Sequence, residues 1–514
     1  MSSSRAIFTP RAPVASGMLP VSGASRQSAS EALVFSGILA LIWAAFWLAG
    51  LPRPNVDDAF FAGIAVHLAQ HGEIANPWCV GWLGYLPGVS AEPFLVQPPI
   101  YPVALAGWLR VFGVSTSSLT AWICTLGFAA SACLWRLLRA FDVGRSAALL
   151  GTMIAGGWIL HRGLRPEAFT LLCLAGGQLL LLRRRDFVGA ALGGALNGLA
   201  VLAHPFWIVF AAPGTALHLW DARARREPLP ALAAGIATGI AAAFLVLLAI
   251  VGRHFGQLVH DIGVHAQFVS ATPSRLAKFF EHLRVGYDGY VRGGVLALAL
   301  LAWLAAPARG TQRARRALFF VAACGALGLA LYPGPCAIYL VLVVAAVPLI
   351  LTATAASPLA RAARVLPAAV LVAWFAVQHT VQALADRAND DPALRARVRA
   401  YIDEARPEQV VFDAATLRTV FDYHPPAGAV DLAWAWSPGR STRWQSAAAI
   451  GPRDLWVVNP MWSRRQLGAV APTEPFRLGG RPLASVTAAR RLTLLAGRDL
   501  PAPLALPLAA TPSP

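Results

Sequence analysis

Residues 32–61 read ALVFSGILALIWAAFWLAGLPRPNVDDAFF, and this stretch decides the fold class. The twenty residues from Ala32 to Leu51 carry no charge, which is the length of apolar helix that crosses a bilayer core. The run is too long for the apolar centre of a signal peptide, and no convincing cleavage site follows it, so it reads as a first transmembrane helix. Pro52-Arg53-Pro54 ends it, and Asp57 and Asp58 then stand side by side at the membrane mouth. Carboxylates are costly near hydrocarbon, so an adjacent pair at this depth marks a candidate functional site.

The rest of the chain repeats the apolar pattern. Of 514 residues, 57% are hydrophobic and 13% charged, against about 25% charged in a soluble domain. Mean hydropathy is +0.57. Candidate spans lie near 32–51, 117–138, 145–161, 166–182, 187–204, 205–220, 231–252, 291–306, 317–333, 337–355 and 365–381. The expectation is a polytopic α-helical membrane protein with about eleven transmembrane helices. The net charge of +18 comes almost wholly from arginine, with Lys278 the single lysine. That bias, with abundant Ala, Gly and Pro, fits a GC-rich bacterial genome and hence a bacterial cytoplasmic membrane.

The arginines sit in short loops rather than in one patch, which argues against a nucleic-acid partner. Arg136, Arg139 and Arg145, then Arg183 to Arg185, Arg223 to Arg226, Arg309 to Arg316, and Arg361 with Arg364 all fall on one side. The positive-inside rule makes that side cytoplasmic, together with residues 1–30, a Ser/Ala/Pro-rich tail that reads as disordered. Counting 98–113 as a span would reverse every later basic loop, so that segment is expected to be interfacial or re-entrant at the outer face. Six cysteines show no metal-like pairing. Cys79 and Cys336 both fall outside, where a disulfide is open but no spacing argument supports one.

On this map the outer face gathers the polar chemistry in loops 52–116 and 253–290 and in short turns between spans. Asp57 and Asp58 precede a small amphipathic stretch, so one of them could simply cap a helix; a carboxylate there could equally serve as a general base toward a hydroxyl. The turn His161-Arg162-Gly163-Leu164-Arg165-Pro166-Glu167 offers an interfacial ion pair or a guanidinium fork for a phosphate, with Glu167 orienting the arginine or meeting an acceptor. His204 lies at the same depth, as an interface residue or a ligand contact. Loop 253–290, with Lys278, either anchors anionic headgroups or lends a cation to one lipid phosphate. Residues 382–514 change character. A helix at 391–405, strands at 409–413, 454–459 and 491–496, and a helix at 414–421 read as a small extracytoplasmic α/β domain with a Pro/Ala-rich end. Residues 31–381 form the membrane domain.

These residues carry a family resemblance. Asp57-Asp58 after the first span, the small-residue helix Ala62 to Gly72, Gln97-Pro98-Pro99-Ile100-Tyr101, and Arg162 to Glu167 resemble the motifs of the C-type (GT-C fold) glycosyltransferases. The similar branch is that of the protein O-mannosyltransferases and lipid A aminoarabinose transferases. Members carry Asp-Glu, Lys-Pro-Pro-Leu-Tyr-Tyr and an Arg-x-x-x-Pro-Asp-like turn, so Asp58, Gln97 and Glu167 depart from the pattern at donor and acceptor contacts. The resemblance implies transfer of a sugar from a polyprenyl-phosphate donor to an extracytoplasmic lipid, glycan or protein, with inversion. Asp57, with Asp58, would be catalytic. Arg162, Arg165, Glu167, His204, Lys278, Gln97 and Tyr101 would bind the donor phosphate or substrate. No cofactor is expected; a divalent metal at Asp57 and Asp58 is conceivable but not predicted.

Two other classes compete. A transporter or flippase of a lipid-linked glycan would explain the spans, but its ionisable residues should lie near the midplane, whereas here they collect at helix ends. A non-catalytic scaffold would explain the departures at Asp58 and Gln97. No Walker, GxGxxG or HExxH motif supports nucleotide-driven transport or zincin chemistry.

Overall fold

The computed structural model describes residues 29–52, 55, 57–79, 88–89, 92–141, 143–270, 275–284, 294–299, 312–354, 357–387, 392–431, 452–458, 481–485, 493–496 and 499–501. The tail 1–28 lies outside these residues, as does most of the expected span 291–306.

Helices dominate. They are α1 (Ala29–Leu48), α2 (Asp58–His71), α3 (Ile100–Phe112), α4 (Thr116–Ala140), α5 (Arg145–Arg162), α6 (Glu167–Arg183), α7 (Phe187–Ala203), α8 (Ile208–Ala224) and α9 (Leu229–Val251). Then follow α10 (Phe255–Ser270), α11 (Arg275–Arg284), α12 (Gln312–Leu331), α13 (Pro333–Ala346), α14 (Pro358–Arg387) and α15 (Pro392–Ala405). Among the described residues three stretches are long and apolar enough to cross a membrane, Thr116–Ala140, Leu229–His265 and Pro358–Thr380. Leu33–Leu48, Phe187–Ala203 and Cys336–Thr352 are shorter apolar helices.

Their ends follow from sequence. Ser115 caps α4 by accepting from Ser118 N at 3.1 Å, and Asp186 caps α7 by accepting from Gly189 N at 2.5 Å. Each satisfies an N–H that the first helical turn leaves unpaired. Gly72 ends α2 in the left-handed region, at φ 82°, with its N–H returned to Leu68 O, a backbone state that glycine adopts without strain. Helix α3 has 13 residues, so it is about 20 Å long at 1.5 Å per residue. That is less than the ~30 Å of a hydrocarbon core and fits an interfacial helix. It lies against α2, with Arg110 Nη2 donating to Leu68 O at 2.9 Å.

Helices α7 and α9 pack closest. A Cβ on Gly239 would collide with the Ala191 carbonyl, and one on Gly194 with Ile236 O. Hydrophobicity does not drive helices together inside lipid, so close backbone approach over small residues supplies the attraction.

The chain after α15 folds into β1 (Gln409–Phe412), α16 (Ala414–Thr419), β2 (Val430–Asp431), β3 (Asp454–Val458), β4 (Arg481–Ser485) and β5 (Thr493–Ala496). The sheet order is β2-β1-β3-β5-β4. Strand β1 is parallel to β2 and β3, and β5 runs antiparallel to β3 and β4. Asp413 and Thr416 form a reciprocal capping box at α16. The sheet and α15 share a core with the segment after α2: Trp78, Phe94 and Leu95 belong to one buried cluster with Val398, Phe412 and Phe421. Polar contacts reinforce that seam. Arg418 donates to the Gly50 and Pro52 carbonyls, and Asp422 Oδ1 accepts from Thr116 N at 2.6 Å. All six cysteines are free thiols, so Cys79 and Cys336 are not bridged; Cys336 packs against Gly328 on α12 instead.

Candidate active site

Asp57 and Asp58 do different things although they are adjacent. The Asn55 side chain accepts from Asp57 N at 3.0 Å, turning the chain into α2. Asp58 is 1% exposed. Its Oδ2 accepts from Asn55 N and its Oδ1 from Leu164 N, both at 2.9 Å. Burial pushes its carboxyl up to about 7, against the opposing pull of these two backbone donors. Asp58 therefore clasps the turn at Leu164 onto the start of α2. Tyr101 closes the same clasp from α3, donating to Leu164 O at 2.7 Å. Asp57, by contrast, keeps 18% of its side chain exposed and pairs with Arg165 Nη1.

The turn between α5 and α6 supplies the cations. Pro166 sits at the cap position of α6, where its missing N–H costs nothing. Glu167 follows, with 1% of its side chain exposed. Three donors converge on its Oε1: Arg162 Nε at 3.0 Å, Arg165 Nε at 2.9 Å and Tyr339 Oη at 2.8 Å. Its Oε2 is buried with no hydrogen-bond partner among the described residues. Each guanidinium is also held by a ring, Arg162 over Trp158 at 5.0 Å and Arg165 over Phe61 at 5.7 Å. Arg165 Nη2 lies 3.4 Å from His204 Nε2. An arginine only donates, so this nitrogen accepts and the neutral ring carries its proton on Nδ1.

The structure thus brings Asp57, Arg162, Arg165, Glu167 and His204 into one cluster at the ends of α2, α5, α6 and α7. Asp58 and Tyr101 brace it through backbone contacts and do not face its centre. Gln97 bonds to none of these residues, and its buried Oε1 has no partner among the described residues. Lys278 lies on α11, with its side chain outside the described residues. Tyr339, on α13, belongs to the cluster although the sequence did not single it out. The available signal was a phenol inside an apolar run, close to Pro333-Gly334-Pro335 at the start of α13.

Two arginines face two carboxylates, so the cluster is charge-balanced as it stands. Asp57 and Asp58 have separate partners. Among the described residues no group of three His, Cys, Asp or Glu side chains is placed to hold a metal ion. The site offers one partly exposed carboxylate next to two anchored guanidinium groups, a combination suited to accepting a proton beside an anionic group.

No known protein-family description matches the chain, and no curated protein does. Among solved structures it is similar to the crystal structure of ArnT from Cupriavidus metallidurans bound to undecaprenyl phosphate. The identity is 13% and the TM-score 0.47, over 91% of this chain and 98% of that one.

Proposed function

We propose that this protein is a membrane glycosyltransferase that moves a sugar from a polyprenyl-phosphate donor to an extracytoplasmic acceptor. The observation that supports it is the pairing of Asp57 with Arg165, itself fixed by Glu167. A phosphate is a strong bidentate partner for a guanidinium. When the donor's phosphate reaches Arg165, it competes with Asp57 for the same fork. Arg165 then turns from Asp57 to the phosphate, and the carboxylate is freed while the donor is in place.

The freed Asp57 takes the proton from the acceptor hydroxyl as its oxygen attacks the anomeric carbon. The bond from that carbon to the phosphate oxygen breaks, and its electron pair leaves with the polyprenyl phosphate. Arg165 and Arg162 stabilise the charge that develops there. Attack opposite the leaving group inverts the anomeric centre. Asp58 holds the turn in register, and His204 fixes the far side of Arg165. Gln97 and Lys278 are assigned to the donor or acceptor path on the motif and loop pattern alone.

In this reading the arginine-rich loops and the N-terminus face the cytoplasm of a bacterial inner membrane. The cluster and the sheet domain of residues 382–514 lie outside, and 31–381 is the membrane domain. The acceptor is a lipid, a glycan or a protein.

Mass spectrometry of envelope lipids, glycans and surface proteins tests the proposal. Wild type is compared with a deletion strain rescued by wild-type protein or by Asp57→Asn. One saccharide mass should vanish on deletion, return with wild type and stay absent with a normally expressed Asp57→Asn protein. Full rescue by Asp57→Asn would sink the assignment.

A further inference from the structure

A cavity of about 370 Å³ lies among α4, α5, α6, α8, α12 and α13, away from the outer cluster except at its ceiling of Trp158 and Tyr339. Its walls are apolar, including Ile154, Leu171, Phe210 and Leu342. Its other end is charged. There Asp221 is shared by Arg316 at 2.5 Å and Arg225 at 3.8 Å. Glu227 is shared by Arg185 at 2.7 Å and Arg225 at 3.7 Å.

Among the described residues three arginines therefore meet two carboxylates, which leaves one positive charge unmatched there. Donors are left over too. Arg316 Nε and Arg185 Nη2 are buried with no hydrogen-bond partner among the described residues. A buried N–H without an acceptor is costly, and an unmatched charge at a membrane boundary more so. The missing component is one negative charge with several acceptor oxygens, attached to a hydrocarbon chain that enters the space above it. Basic pockets between transmembrane helices on the arginine-rich side bind lipid headgroups in this way.

We propose that this cavity is a binding site for one anionic phospholipid of the leaflet at the arginine-rich face. Its phosphodiester meets Arg316 and Arg185, and one acyl chain lies between α6, α8 and α13. The site is independent of the sugar-transfer reading: its ligand comes from the opposite face, and its charge is that of a singly anionic headgroup.

Native mass spectrometry of the full-length protein tests it, with phosphatidylglycerol, phosphatidylcholine and inorganic phosphate as probes. Wild type should retain one phosphatidylglycerol in preference to phosphatidylcholine. Arg316→Gln should lower that preference about fivefold, the scale of one arginine against an anionic surface. Ala346→Phe, which fills the cavity and leaves the charges in place, should reduce retention of both lipids. If Arg316→Gln does not fold, Arg185→Gln, at the more exposed edge, is expected to give the same loss of preference. Equal retention of the two lipids by wild type overturns the proposal, as does unchanged preference in the arginine variants. Displacement of the lipid by inorganic phosphate at equal concentration overturns the acyl-chain part, and undiminished binding by Ala346→Phe does so too.

Discussion

Tyr339 donates its hydroxyl hydrogen to Glu167 Oε1 at 2.8 Å across 172 residues of sequence. It thereby ties α13 to the residue that holds both arginines of the cluster. Tyr339→Phe removes one of three donors from a buried carboxylate oxygen and leaves the ring packing against Trp158 and Phe206 intact. The loss of about 1–3 kcal/mol of fixation should lower sugar transfer about tenfold without unfolding the protein. Transfer measured in membranes, alongside a melting curve, checks both halves.

The two aspartates should separate in their effects. Asp57→Asn removes the proposed base and should reduce transfer by about 10²–10⁴-fold with little change in stability. Asp58→Asn places an amide NH₂ against one of two backbone N–H donors, those of Asn55 and Leu164. It should cost about 1–3 kcal/mol in stability and affect transfer only through displacement of the turn. Activity normalised to folded protein distinguishes them; equal losses at both positions would contradict the division of roles.

Asp58 also sets a pH dependence. Its carboxyl is raised from 3.8 to about 7 by burial. Between those values the folded chain holds the proton and the unfolded chain has released it, so raising the pH favours unfolding. Stability from this residue is thus complete below about pH 4 and is lost as pH rises toward 7. Melting temperatures across that range should fall with pH in wild type. Asp58→Asn should flatten the slope while lying lower throughout.

Gly239→Leu should abolish accumulation of folded protein. The side chain has no space against the Ala191 carbonyl and Ala195 N on α7, and the shift needed to admit it would separate the closest helix pair. Gly256→Ala, where no atom lies within 4 Å, is the matched control and should express normally.

Much of this architecture was readable because apolar runs report helices directly. The expected spans 117–138 and 145–161 match α4 and α5 to within two residues. The strands expected at 409–413, 454–459 and 491–496 overlap β1, β3 and β5. Strand β2, two residues long, and β4, with Pro482 in it, gave no strand pattern. Within the site, Asp57, Arg165 and Glu167 were legible because charge is rare at that depth. Tyr339 was not, since one phenol in an apolar run resembles interface anchoring. The clasp by Asp58 and Tyr101 depends on contacts with Leu164 over 106 and 63 residues, which no local spacing encodes.

The buried cluster that joins Trp78 and Phe94 to Phe412 and Phe421 has a practical consequence. The terminal sheet is not a passenger that could be trimmed or exchanged between relatives at the end of α14. Cutting there would expose the aromatic underside of the segment after α2 and release the Gly50 and Pro52 carbonyls from Arg418. A chimaera would have to carry residues 50–96 along with its new sheet, so the segment bearing Asp57 and the terminal sheet are inherited as one unit.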